Sequence, residues 1–177
     1  MQTKSVLYAT WTGPYDGPVW LCFGGFLDEL EDVVRFATAR MPEARVLCVR
    51  GPRAQTQGGN GLSCGHFWYI GPQDRPELST FGDGLYQAEV LLLEQAGAGK
   101  VNLAGRGQGA TVALTLAALW PDHVAEVAAW EGGLPLNLDR MPLDFGNLAA
   151  LGVSLYGLPE AVAQFTTTTL AAQGARI

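Results

Sequence analysis

The sequence contains few of the residues that bind metals or form cross-links. Among 177 residues there are three cysteines and two histidines. No Cys-x-x-Cys or His-x-x-x-His spacing is present, so the ligand set of a structural zinc site is missing. Cys22 and Cys48 lie within apolar runs, where a thiol is usually a small core hydrophobe. We therefore predict no disulfide framework, no metal site and no cofactor.

Basic residues and long apolar runs are also scarce. Eleven Lys and Arg residues stand against seventeen Asp and Glu, which gives a net charge of −6. The basic residues are scattered, so no patch could follow a phosphate backbone, and nucleic acid is not expected as a partner. The longest apolar stretches, such as 110–120, are far shorter than the roughly 20 residues of a membrane helix, and the first residues lack a signal peptide's apolar run. We predict no membrane segment and a cytoplasmic location.

Strand patterns and helix patterns alternate along the chain. The residues predict strands over 5–11, 19–23, 45–50, 101–104, 124–130 and 153–156, and helices over 28–40, 78–95, 109–119 and 161–172. This β-α-β alternation predicts an α/β protein, with a mostly parallel sheet in a three-layer α/β/α sandwich. The length fits one domain over residues 1–177. Two irregular stretches interrupt the pattern: 51–65, with five glycines, is predicted to be a loop, and 132–148 carries two prolines.

A strand, a sharp glycine turn and a helix follow one another over 101–111. The turn reads Gly105-Arg106-Gly107-Gln108-Gly109, and hydrolases of this architecture carry Gly-x-Ser-x-Gly there. Other segments, in chain order, are LCFGGFLDELEDVVRFA, RVLCVRGP, HFWYIGPQDRPE and, near the end, LAAQGARI. Together with NLAGRGQGATVALTLAALWPDHVAEVAAWEGGLP they resemble the phospholipase/carboxylesterase branch of the α/β-hydrolase family. The resemblance implies an α/β-hydrolase-like fold, truncated relative to that family.

The same resemblance implies that the catalytic triad is absent. The family's serine would fall on Gly107, and the histidine that ends its oxyanion strand would fall on Phe23. Its triad aspartate follows the strand that here reads GVSLYG, after which no aspartate occurs. Its triad histidine lies beyond the late helix, and this chain stops at Ile177. A serine esterase needs a nucleophile, a base and an orienting acid, so we predict that conventional Ser-His-Asp hydrolysis is lost.

Backbone donors at the turn survive such side-chain changes. The amides of Gln108 and of Gly24 or Gly25 are predicted to remain able to hold an oxyanion or a carbonyl. The first hypothesis is a non-hydrolytic protein that binds a small apolar or aromatic molecule, or a partner protein, in the former cleft. A homodimer through the sheet edge near 153–156 would fit this hypothesis. The predicted ligand-binding residues are Phe23, Gly24, Gly25, Arg106, Gly107, Gln108 and Trp68.

Two alternatives remain open at the level of sequence. His66 and Glu131 would form a base and an orienting carboxylate for an isomerase, cyclase or lyase, unless Arg106 and Glu131 form an ion pair that fills the space. A hydrolase with a non-standard nucleophile is the lesser alternative, and its candidate nucleophiles are Cys64, Ser63, Ser79 and Thr111.

Overall fold

The structure is a computed structural model, and it describes residues 7–58 and 61–177. The strands are β1 (Ala9–Thr12), β2 (Val19–Phe23), β3 (Arg45–Val49), β4 (Arg53–Gln57), β5 (Leu62–Phe67), β6 (Val101–Arg106), β7 (Val124–Trp130) and β8 (Gly152–Tyr156). The helices are α1 (Leu30–Arg40), α2 (Leu78–Ala96), α3 (Gln108–Leu119) and α4 (Glu160–Ala172), with a 3₁₀ turn at Leu138–Arg140. The first predicted strand, 5–11, begins at residues that lie outside the described ones.

Six strands form one sheet in the order β1-β3-β2-β6-β7-β8. All neighbours in this sheet run parallel except β1 and β3, which are antiparallel. The predicted α/β class and the mostly parallel sheet are therefore confirmed. In the ladder, Phe23 lies opposite Gly105, and Arg106 lies opposite Trp130. The carboxyl ends of β2, β6 and β7 therefore lie side by side. Open sheets of this type bind their ligands at such strand ends.

The helices cover the two faces of the sheet unequally. Core residues of α2, α3 and α4 pack together with Leu21 and Leu103 on one face. Val33 and Ala37 of α1 pack on the other face with Cys22. The three-layer arrangement follows from this division.

Helix α3 is the most deeply buried helix. The sequence predicts one apolar stripe, yet every residue from Gln108 to Ala118 is buried. A helix that is apolar on all sides belongs inside a protein, and α3 lies between the sheet and the neighbouring α2. Full burial of a side chain such as Leu114 or Leu116 contributes roughly 1.5–3 kcal/mol. This packing fixes the turn that precedes α3.

The prediction of a loop over 51–65 is wrong. The structure has an antiparallel hairpin there, formed by β4 and β5, with Arg53 opposite Phe67 and Gln57 opposite Leu62. Residues 59 and 60, at its tip, lie outside the described residues. The glycines at 58 and 61 have positive φ, +57° and +66°, and glycine-rich dipeptides between two short runs are typical of hairpin turns. The many glycines had indicated a loop, although the flanking residues pair as strands.

The carboxyl-terminal residues lie along β8. Arg176 accepts a hydrogen bond from the amide of Val153 at 2.8 Å and donates its own amide to the carbonyl of Leu151 at 3.1 Å. The edge at 153–156 is therefore partly paired by the chain itself. No helix in the described part of the chain is long and apolar enough to cross a membrane.

Candidate functional site

Gly107 forms the turn between β6 and α3. Its φ of +53° and ψ of −124° lie in a region that side-chain-bearing residues rarely adopt. Its carbonyl accepts the amides of Ala110 and Thr111, and its amide donates to the carbonyl of Trp130 at 2.8 Å. The amide of Gln108 has no partner in the described part of the chain, as expected for the first turn of a helix. The sharp turn that the sequence predicts at this place is present.

The two flanking glycines are required by close packing. A Cβ at Gly105 would meet the backbone of Gly109, and one at Gly109 would meet the carbonyl oxygens of Phe23 and Gly24. Both positions fall well inside the 3.0 Å below which real Cβ atoms are essentially never found. The strand, the turn and the helix can approach this closely only without side chains at these positions.

A Cβ at Gly107 would be crowded by a flexible side chain rather than by backbone atoms. The nearest atom to that Cβ would be Oε1 of Gln73 at 3.2 Å, and the next would be the Cα of Gly25 at 3.8 Å. The exposed side chain of Gln73 thus lies over the central glycine, and its Nε2 donates to the backbone carbonyl of Glu131. No sequence signal marks Gln73 as part of the site, because it lies 34 residues before Gly107 in a turn-rich segment.

A short segment carries Gln73 across the carboxyl end of the sheet. We call residues 70–77 the strap. The buried Tyr69 hydroxyl donates to the carbonyl of Gln73 at 2.7 Å, and burial raises the pKa of that hydroxyl. The amide of Leu136 donates to the carbonyl of Asp74 at 2.7 Å, and Asn137 Nδ2 donates to the carbonyl of Pro76 at 3.0 Å. The strap is thereby held against the loop that follows β7.

The predicted oxyanion donors near β2 are engaged within the protein. The amide of Gly24 donates to the carbonyl of Val49 at 2.8 Å, and the amide of Gly25 donates to Oδ2 of Asp28 at 2.6 Å. Asp28 is buried, with 6% of its surface exposed. Of the predicted donors, the amide of Gln108 alone is left without a protein acceptor among the described residues.

Arg106 pairs with Asp28, and the predicted ion pair between Arg106 and Glu131 is wrong. Arg106 Nε donates to Asp28 Oδ2 at 2.9 Å, and its Nη2 contacts Oδ1. This two-bond contact raises the pKa of the Arg106 guanidinium. Asp28 was predicted to begin a helix, and its pairing with Arg106 was not predicted. The turn after β2, at Gly24 and Gly25, brings Asp28 back onto the ends of β2 and β6.

His66 and Glu131 are not brought together, so the contact required by the acid-base hypothesis is absent. His66 lies in β5, with its Nδ1 3.1 Å from Oε2 of Glu29, although the two atoms are not aligned for a hydrogen bond. Glu29 also contacts Arg50 Nη1 and Ser63 Oγ, each at 3.1 Å. These contacts tie the β4–β5 hairpin to the start of α1. Their geometry indicates a structural cluster.

Glu131 follows the last residue of β7. It has a φ of +58°, which is uncommon for a residue with a side chain. Its amide donates to the carbonyl of Tyr156 at 2.8 Å, and its own carbonyl accepts from Gln73. The backbone of Glu131, rather than its carboxylate, therefore takes part in the closed turn.

Gln108 and Trp68 hold the aromatic segment onto the turn. Gln108 Oε1 accepts the amide of Trp68 at 2.9 Å, and its Nε2 donates to the carbonyl of Tyr69 at 2.9 Å. Trp68 Nε1 donates to the carbonyl of Gly24 at 2.9 Å, and its ring packs edge-on against Phe23. Phe23 and Trp68 are both fully buried. These two predicted ligand-binding residues belong to the core.

The alternative nucleophiles are dispersed. Cys64 is exposed on the hairpin, and its Sγ lies 3.3 Å from the carbonyl of Gln55. Ser79 contacts Glu77, whose carboxylate caps α2 and whose pKa falls to about 2 because it accepts the Thr80 and Ser79 groups. Thr111 is fully buried in α3. None of these side chains has a histidine within ion-pair or hydrogen-bond distance among the described residues.

An apolar cavity lies next to the turn, between the strap and the beginning of α4. Its volume is about 410 Å³. It is lined by Gln73, Asp74, Gly133, Leu136, Pro159, Ala161 and Val162. Within the described residues, no group of three His, Cys, Asp or Glu side chains is placed to hold a metal ion. The cavity can therefore offer apolar contacts to a ligand. Its wall also carries one carboxylate, that of Asp74.

The comparisons with known proteins identify the fold. No protein-family model and no curated protein matches this chain. The structure is similar to a carboxylesterase of Bacillus cereus, with a TM-score of 0.77 and 18% identity, over 97% of this chain and 82% of that one. It is similar to a phospholipase/carboxylesterase of Dyadobacter fermentans, with a TM-score of 0.69 and 16% identity, over 98% of this chain and 85% of that one.

A third similar structure is a carboxylesterase of Mesorhizobium loti, with a TM-score of 0.67 and 20% identity, over 89% of this chain and 76% of that one. The protein therefore has the α/β-hydrolase fold, in the form found in carboxylesterases and phospholipase/carboxylesterases. The resemblance predicted from the sequence is confirmed at the level of the fold.

Proposed function

We propose that this protein is a non-hydrolytic member of the α/β-hydrolase fold that binds a small apolar or aromatic molecule in the cavity beside Gly107. The observation that carries the proposal is the position of the Gln73 side chain, which lies over Gly107 and covers the turn. Gly107 supplies no hydroxyl, and Gln73 lies where a nucleophile's side chain would project. Chemistry at this place would need both a nucleophile and an open approach for the substrate.

The state of the oxyanion donors supports the same proposal. A tetrahedral intermediate needs donors that are free to meet the developing negative charge. The amide of Gly25 donates to Asp28 and is therefore not free to bind an oxyanion. The cation of Arg106 is already paired with Asp28. An ester carbonyl would therefore gain little stabilisation here.

The cavity supports the choice of ligand. Its volume of about 410 Å³ falls within the roughly 300–1,000 Å³ of small-molecule sites. Leu136, Pro159 and Val162 line it with apolar surface, which favours an apolar or aromatic body over a sugar or a nucleotide. The carboxylate of Asp74 is the charged group at its wall and would favour a ligand that carries a hydrogen-bond donor.

Binding can be tested by ligand-observed ¹⁹F NMR with fluorinated aromatic fragments, 4-fluorobenzyl alcohol and 4-fluorobenzylamine among them. Ala161→Trp places an indole in the cavity and should abolish binding. Ala171→Trp is the matched control, because Ala171 is equally exposed on α4 but does not line the cavity. Binding that is equal in both variants, or absent from the unmodified protein, would overturn the proposed ligand site.

Loss of hydrolysis is tested separately. The protein should neither turn over p-nitrophenyl butyrate above the uncatalysed rate nor be labelled by a fluorophosphonate probe. Labelling or turnover that disappears in Ser63→Ala or Cys64→Ser would instead establish a hydrolase with a non-standard nucleophile. Activity that survives both substitutions and depends on Gln73 or Asp28 would also contradict the non-hydrolytic proposal.

A further inference from the structure

The two edges of the six-stranded sheet differ in how they are covered. At one edge, Arg176 already pairs with Leu151 and Val153 beside β8. At the other edge lies β1, whose residues Ala9, Thr10 and Trp11 are exposed. An exposed edge strand presents unpaired amide and carbonyl groups that can bind another strand. The edge formed by β1 is therefore the better candidate for pairing with another chain.

The register of β1 identifies its outward-facing backbone groups. The amide of Arg50 donates to the carbonyl of Tyr8, and Thr10 and Thr12 lie opposite Cys48 and Val46. Hydrogen-bonded and non-hydrogen-bonded pairs alternate along an antiparallel ladder. Tyr8, Thr10 and Thr12 therefore bond toward β3, whereas the amides and carbonyls of Ala9 and Trp11 point away from the sheet. No partner for these outward groups occurs in the described part of the chain.

We propose that β1 joins two copies of this chain in a two-fold dimer with one continuous sheet. With Thr10 on the axis, opposite Thr10 of the second copy, Ala9 of each copy lies opposite Trp11 of the other. That register uses all four outward groups of each strand, because each Ala9–Trp11 pair exchanges two hydrogen bonds. Thr10 of one chain and Thr10 of the second chain then form a non-hydrogen-bonded pair.

The composition of β1 favours a second copy as the occupant. Tyr8 to Thr12 carries no charge and no proline, so the strand lacks the residues with which natural edges prevent pairing. A charged residue in β1 would lie close to the same charged residue of the second copy, and like charges across strands are destabilising. The side chains of Trp11 and Tyr8 are 42% and 68% exposed. In the proposed register Tyr8 lies opposite Thr12 of the second copy, an aromatic and β-branched pair of the stabilising kind.

Sedimentation velocity of the whole chain tests the proposal. A short shared edge predicts a dissociation constant on the order of 10 µM, as for small transient interfaces. Ala9→Pro removes one outward amide without removing a bond to β3, and should yield a monomer with an unchanged far-ultraviolet circular dichroism spectrum. A protein that stays monomeric at concentrations well above the expected constant, or a dimer unaffected by Ala9→Pro, would overturn the proposal.

Disulfide trapping tests the register and does not depend on how Ala9→Pro folds. In a Cys48→Ala, Cys64→Ser background, which removes the exposed thiol and the β3 thiol opposite Thr10 and leaves the buried Cys22, Thr10→Cys should form a disulfide-linked dimer on mild oxidation. Thr12→Cys is the matched control, because its two copies would lie about 13 Å apart along the strands, beyond the roughly 7 Å that a disulfide spans. Equal trapping at both positions, or none at Thr10→Cys, would refute the register.

Discussion

The three glycines of the turn before α3 fall into two groups. Gly105 and Gly109 have no room for a side chain, because a Cβ would collide with backbone atoms. A Cβ at Gly107 would be crowded by the flexible side chain of Gln73, which can move aside. The flanking glycines are required by the fold, whereas the central position is free to change chemistry. The close packing of strand, turn and helix therefore does not depend on a side chain at the central position.

The largest expected effect is at a flanking position. Gly109→Ala should lower the free energy of unfolding by about 3–5 kcal/mol, since the carbonyls of Phe23 and Gly24 cannot move without distorting β2. Chemical denaturation with urea measures the change. Gly82→Ala is the control, because this position in α2 has nothing within 4 Å, and it should stabilise the protein by about 0.5–1 kcal/mol. A mild effect of Gly109→Ala would show that the flanks are not sterically required.

The next largest effect concerns Gln108, which anchors the aromatic segment to the turn. Gln108→Leu keeps the volume but leaves the amide of Trp68 and the carbonyl of Tyr69 buried without their partner. The expected loss is about 2–4 kcal/mol, at roughly 1–3 kcal/mol for each unsatisfied buried group. Differential scanning calorimetry checks this value. An unchanged Tm would mean that these groups find other partners.

A smaller effect is expected at the central position. Gly107→Ala should cost only about 1–2 kcal/mol, the penalty for a side chain at positive φ, because Gln73 can move aside. Gly107→Ser should cost a similar amount and should confer no esterase activity, since no histidine contacts the turn among the described residues and Asp28 holds the amide of Gly25. A cost as large as that of Gly109→Ala would remove the distinction between the two groups of glycines. Esterase activity in Gly107→Ser would show that the groups a serine nucleophile needs are present around the turn.

Removal of the Gln73 side chain should change hydrogen-exchange protection at the turn more than it changes the free energy of unfolding. Gln73→Ala should alter the free energy of unfolding by less than about 1 kcal/mol, as for an exposed side chain. The amide of Gln108 should nevertheless exchange with solvent faster, because Gln73 lies over the turn and that amide has no acceptor among the described residues. Hydrogen exchange followed by NMR measures both effects. Unchanged exchange at Gln108 would show that Gln73 does not cover the turn.

The smallest effect concerns pH and the end of the strap. Glu77 caps α2, and its pKa is lowered to about 2 by the hydrogen bonds that it accepts. A carboxyl with a lowered pKa contributes stability that is present above its unfolded pKa, near 4.3, and is lost as the pH falls toward 2. Stability should therefore decline more steeply between pH 5 and pH 2 in the unmodified protein than in Glu77→Gln. Equal pH dependence of the two proteins would contradict this role.

Local sequence signals predicted most of the fold but few of the contacts between residues of the candidate site. Strands such as Val19–Phe23 and Val124–Trp130 were recovered because buried parallel strands read as continuous apolar runs. The turn at Gly107 was recovered because glycines at fixed spacing mark it. The hairpin of β4 and β5 was missed, since its strands are mostly exposed and polar, apart from the buried Gly65 and His66, and carry no hydrophobic alternation. Its glycine content was read as irregularity.

The contacts of the site were decided by residues far apart in the chain. Arg106 was expected near Glu131 because both follow neighbouring strands, yet the Gly24–Gly25 turn returns Asp28 to the same place first. His66 was expected in the cleft, but strand pairing turns it toward Glu29. Gln73 reaches Gly107 only because hydrogen bonds hold the strap against the loop after β7.

The sequence by itself determined the class of fold, the glycine turn and the absence of a hydroxyl at Gly107, because each depends on local periodicity or on the identity of one residue. Only the tertiary structure decided which carboxylate pairs with Arg106, what covers the turn and which edge of the sheet Arg176 pairs with. Those outcomes depend on how separate segments meet in space, and no local pattern encodes that meeting.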